Sequence, residues 1–165
     1  MKKHKGFTLI ELLIVIGIIA ILAAIIYVAV DPARRLAEAR NAERWSSVNA
    51  ILNATLKYTV DNAGSLPTKL DGVTGGVYYV IGEGGPGNCA DCGAVSENGD
   101  CLDLNNGGEL VDTYLASMPL DPSDDPGSVD DTGYYIMISD AGRITVGACD
   151  PEEIGDDTPT IAVSR

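Results

Sequence analysis

The sequence predicts an α+β protein, a long amino-terminal helix packed on a small antiparallel β-sheet head. Three observations carry that prediction. Positions 12–30 are nineteen consecutive residues without a charge, positions 33–62 contain neither Gly nor Pro, and beyond 64 short β-branched and aromatic runs alternate with Gly-rich turns. The charge balance shifts with them: the whole chain carries a formal net charge of −13, concentrated after the helix.

The first segment, 7–30, reads as a transmembrane helix. At ~1.5 Å per residue it covers about 36 Å, more than the ~30 Å hydrocarbon layer. It is apolar all round rather than striped, so it needs lipid or like helices on every side. Lys2, Lys3 and Lys5 precede it and favour a cytoplasmic amino terminus, which places everything after Val30 outside the cytoplasm. A cleaved secretory signal has a shorter apolar core and a small-residue cleavage site, and neither is seen here. Tyr27 suits the far interface. Gly17 and Pro32 are the candidate points of bending, since Gly is soft in a helix and Pro lacks the backbone donor.

Glu11 stands at the head of this run. A carboxylate carried into a bilayer on a helix costs on the order of 2.5 to 3.5 kcal/mol, so such a residue reads as functional and in need of a partner. Two readings account for it. Glu11 snorkels to the headgroups, or a peptidase removes residues 1–6 and frees a cationic amine at Phe7, one turn away. In a bundle of such helices, the amine of one subunit would then meet Glu11 of its neighbour and set their axial register.

The next segment, 31–63, reads as an amphipathic continuation of the helix, rich in Ala, Arg, Glu and Leu. Trp45, Val48, Leu52, Leu56 and Thr59 recur at spacings of three and four and predict one apolar stripe. Arg34, Arg35, Arg40, Arg44, Glu38 and Glu43 read as a solvated face with near-neighbour ion pairs. Asn62, Gly64 and Pro67 supply the stop signals.

The remaining residues, 64–165, read as an acidic β-rich globular head. Strands are predicted at 76–81, 133–139 and 143–147, the last two joined by a turn at 140–142, with an edge strand within 158–163. A short helix is expected at 109–115. Cys89, Cys92, Cys101 and Cys149 are candidates for two disulfides in an oxidising compartment, with three pairings open and Cys149 expected to join one of the loop cysteines. The rival reading of Cys89 and Cys92 as a zinc or redox motif lacks a second closely spaced pair or a helix start.

From residue 64 onward nineteen acids face only Lys69, Arg143 and Arg165, which argues against direct nucleic-acid binding. Asp121, Asp124, Asp125, Asp130 and Asp131 fall within eleven residues of a turn-rich loop and are candidate ligands for Ca²⁺, although not at EF-hand spacing. No other cofactor is expected. The only histidine is His4, and no nucleophile-elbow or phosphate-cradling motif occurs, so no enzyme is expected.

Residues 5–12, KGFTLIEL, resemble the prepilin signal of type IV pilins and type II secretion pseudopilins. The stretch 56–67 resembles the end of the long pilin helix, and 118–122 with 133–135 more loosely resembles the later loop and strand. Val28 stands where many family members carry proline, a turn before Pro32. The resemblance implies a leader at 1–6, cleavage after Gly6 by a membrane prepilin peptidase, methylation of Phe7, and a docking role for Glu11. It also raises the expectation of calcium in the acidic loop, as in some major pseudopilins.

The expected function is that of a structural subunit, held in membrane lipid before assembly and then drawn by an inner-membrane assembly platform into a helical homopolymer with itself and other pilins. An extracellular pilus and a cell-envelope pseudopilus of a secretion or competence system both fit. From a different class, a non-polymerising membrane-anchored extracellular binding module also fits.

Overall fold

The computed structural model describes residues 6–84, 89, 92, 97–123 and 127–165, without the side chains of 97–100. Two helices come first, α1 (Leu9–Val30) and α2 (Pro32–Asp61), followed by five strands: β1 (Tyr78–Ile81), β2 (Glu97–Leu102), β3 (Tyr134–Ile138), β4 (Ile144–Ala148) and β5 (Ala162–Ser164). Residues 1–36 and 37–165 form two separate compact units.

In the first unit α1 runs through Gly17 without interruption, and none of its residues is buried. The break comes at Asp31, which takes left-handed geometry at φ 43° and ψ 77°. Pro32 explains the position: it disfavours α geometry in the residue before it, yet it suits the first turn of a new helix. Asp31 then serves α2 as a cap, its carboxylate accepting from the Arg34 amide at 3.4 Å and its carbonyl from Arg35 at 3.2 Å.

In the second unit the strand order is β2-β1-β3-β4-β5. The sheet is mixed rather than wholly antiparallel, because β2 pairs with β1 in parallel. Sequence reading had no strand at 97–102, where Gly, Asn and Asp dilute the β signal. Its neighbours match expectation more closely, and the β3–β4 hairpin is closed by Ser139 and Arg143, with Gly142 at φ 78°. Residues 109–115 form turns, not a helix. Asn105 Oδ1 accepts from the Leu110 and Val111 amides, and Asp112 adopts a φ of 71°, which no helix accommodates.

Alternation along the strands creates two buried faces. Tyr79, Ile81, Tyr134, Ile136, Ile144, Val146 and Ala148 meet Val48, Ile51 and Leu52 of α2. Val80 and Tyr135 point the other way and join Cys92 and Cys149. Disulfides link Cys92 to Cys149 and Cys89 to Cys101. Each fastens the segment before β2 to a strand.

Helix α2 ends in a Schellman turn, with the Gly64 amide donating to the Thr59 carbonyl at 2.8 Å. Ala63 occupies the left-handed position at φ 56°, where a Cβ is strained. Ala63→Gly is expected to stabilise the head by about 0.5 to 1 kcal/mol in denaturant titration, relief of strain exceeding the added chain entropy. Loop entropy separates the two disulfides: the 57-residue span of Cys92–Cys149 predicts a loss of about 4 kcal/mol on removal, and the 12-residue span of Cys89–Cys101 about 3 kcal/mol. Paired Cys→Ser variants compared by chemical unfolding check the order.

Candidate assembly site

The first site is the amino-terminal end of α1. Thr8 is its N-cap in extended geometry, and Glu11 occupies the third helical position. Glu11 Oε2 accepts from the Thr8 amide at 2.9 Å and from the Thr8 hydroxyl at 2.8 Å, while the Glu11 amide donates to Thr8 Oγ1 at 3.3 Å. This is a capping box, which satisfies donors a helix start leaves without partners. The T-x-x-E spacing before an apolar run is its sequence signal. Both bonds to the carboxylate use Oε2. Phe7 and Leu9 beside the cap are 87% and 82% exposed, so the end is open to a neighbour.

Behind the cap lies an apolar surface on which no residue is buried among the described residues. Every residue of α1 is solvent-facing, and none of its sides is polar. A helix of this kind is stable only when another apolar phase surrounds it.

The second functional feature fastens α2 to the head. Arg44, expected on a solvated face, is wholly buried. Its Nε and Nη2 donate to the two carboxylate oxygens of Asp121 at 2.7 and 2.8 Å, Nη1 donates to Asn41 Oδ1 at 2.8 Å, and Glu152 lies 3.4 Å from Nη2. Asn41 in turn holds the backbone of Glu152 through both its amide and carbonyl groups. Burial alone would favour a neutral guanidinium, but the bonds to Asp121 and the charges of Asp121 and Glu152 outweigh it and hold Arg44 protonated.

The buried face of α2 therefore runs Ala37, Asn41, Arg44, Val48, Ile51, Leu52 and Thr55, with Trp45 at its exposed margin. Three polar residues, Asn41, Arg44 and Thr55, interrupt the stripe, and a pattern of apolar residues alone does not register them.

The acidic loop is only partly assembled from what was expected of it. Both Asp121 oxygens are engaged by Arg44; an Asp131 oxygen accepts from the Gly133 amide, and Asp130 is exposed. Asp124 and Asp125 lie outside the described residues, as do residues 1–5 of the leader. Among the described residues no three His, Cys, Asp or Glu side chains gather as a metal would require.

The family model for the prokaryotic N-terminal methylation motif matches residues 1–27. The chain is 47% identical over 66 residues to the type IV wide pilus major component PilA4 of Thermus thermophilus, a match covering 38% of this chain. It spans 46% of that relative's length. No solved structure matches. The chain is thus related to type IV pilins through its prepilin-type amino-terminal segment, and the kinship is with structural proteins rather than enzymes.

Breaking the Arg44 pair from one side leaves a buried carboxylate uncompensated. Arg44→Met is expected to cost about 3 kcal/mol or more in chemical unfolding, and adding Asp121→Leu to recover much of that loss.

Proposed function

We propose that this chain is the structural subunit of a type IV pilus or pilus-like filament, processed after Gly6, methylated at Phe7 and assembled through α1. The observation that carries the reading is the conjunction at one helix: an apolar surface exposed along its whole length, a carboxylate at its head, and the methylation motif over the same residues.

The physical sequence follows from cost. Before assembly lipid covers α1, making the chain a single-pass membrane protein with its amino terminus in the cytoplasm. Cleavage by a prepilin peptidase removes residues 1–6 and turns Phe7 into an amine beside Thr8. Glu11 keeps its own helix capped through Oε2 and offers Oε1 to the amine of the next subunit. Charge neutralisation within an apolar layer fixes the stagger, and helices of neighbouring copies replace lipid around α1. A repeated heterologous contact of this kind does not close, so it grows into a fibre.

Among the readings open to such a subunit, an extracellular pilus is favoured over a secretion pseudopilus because the matched relative is named as a pilus major component. A non-polymerising anchored module leaves the Glu11 carboxylate without an assembly role.

Intact-mass spectrometry of sheared surface material tests the processing. The expected mass is that of residues 7–165 with one methyl group and two disulfides; a mass retaining residues 1–6 overturns the proposal. Glu11→Ala is expected to be processed normally yet to lower filament yield more than tenfold, because a neighbour's amine is left unpaired in an apolar layer.

A further inference from the structure

The head carries a second contact surface, apart from α1. An open groove of about 270 Å³ runs between the last turns of α2 and the end of β5, lined by Asn53, Leu56, Lys57, Val60, Asp61 and Arg165. Its floor is apolar, with Val60 78% exposed. Its rim is cationic, which is unusual here: from residue 57 onward the chain has four cations, Lys57, Lys69, Arg143 and Arg165, and two of them border this groove. Arg165 is positioned by its own backbone, paired both ways with Ile144, and by a bond to Asn53 at 3.5 Å. The Asp61 carboxylate at the edge accepts from the Tyr114 hydroxyl at 3.0 Å.

A matching acidic knob stands elsewhere on the same unit. Residues 154–157 form a turn closed by the Ile154 amide on the Asp157 carbonyl at 2.8 Å, with Gly155 at φ 72°. Glu153, Asp156 and Asp157 are exposed on it. The turn is not a loose tail, because Asn41 holds the backbone of the adjacent Glu152 at 2.7 and 2.9 Å. Its attachment at Asn41 and the groove at Lys57 are separated by about 24 Å along α2, at ~1.5 Å per residue. Knob and groove are thus anchored toward opposite ends of the α2 face that carries the head.

We propose that the 153–157 knob of one copy docks into the Lys57–Arg165 groove of a second copy. Two complementary patches at different places on one unit allow a heterologous contact, the type that propagates along a fibre when the rotation between copies does not close. Opposite charges at the rim select the partner and fix its register, and the apolar floor loses water when the knob enters. The inference rests on the filament reading above and adds to it a head-to-head contact that α1 does not supply.

Zero-length carbodiimide crosslinking of sheared filaments of the full chain, followed by peptide mass spectrometry, tests it. The expected product joins the Lys57 amine to Glu153, Asp156 or Asp157 as a mixed-label peptide in filaments assembled from isotopically light and heavy chains, which only a contact between copies yields. Lys57→Glu is expected to reduce filament yield several-fold, and the swap with Asp156→Lys and Asp157→Lys to restore it, a rescue that a purely structural role for Lys57 would not produce. Filaments that form without the crosslink, or a Lys57→Glu variant assembling at the parental yield, overturn the docking while leaving the subunit reading intact. A processed parental chain that never forms filaments overturns both.

Discussion

The head depends on one buried charge. Arg44 occupies the middle of the α2 face that covers the sheet, and from there its guanidinium reaches two segments distant in sequence, Asp121 and Glu152. Hydrophobic burial could hold α2 against the strands in several rotational settings, because Val48, Ile51 and Leu52 present similar surfaces. A planar donor group answered by a two-oxygen acceptor tolerates far fewer. The pair therefore acts more as a fastener of register than as a source of stability, since two charges taken from water recover little beyond their desolvation.

The opposite constraint governs the first unit. Among the described residues none of α1 is buried, and a helix of this composition has no stable state in water. Its cover must come from another apolar phase. The capping box lowers the cost of carrying a carboxylate there. By satisfying the Thr8 amide and hydroxyl, Glu11 gains partners within its own turn while one oxygen remains for a neighbour.

On the far face of the sheet the disulfides complete what the chain lacks in apolar mass. The segment before β2 is rich in Gly and has few large apolar residues. Cys92–Cys149 passes beneath Val80 and Tyr135 and supplies both a buried cross-link and part of the packing there. With that segment held down, β2 adds to the edge of β1 in parallel, a pairing that local sequence would not select.

The sequence by itself determined whatever depends on neighbours a few residues apart. The apolar run, the carboxylate at its head, the stop signals after α2, the strands flanking the 140–142 turn and the family likeness of 5–12 were all legible, because periodicity and turn chemistry are local. The cap of α1 was legible too, in the Thr8 to Glu11 spacing. Tertiary structure decided the rest. Arg44 looks like any exposed arginine until Asp121 and Glu152, 77 and 108 residues away, are brought to it. The loss of the expected helix at 109–115 is local, set by Asn105 five and six residues before Leu110 and Val111, whereas the disulfide pairing and the parallel edge at β2 have the same origin as the Arg44 pair. Each is settled by contacts between distant segments, and those exist only once the chain has closed around its core.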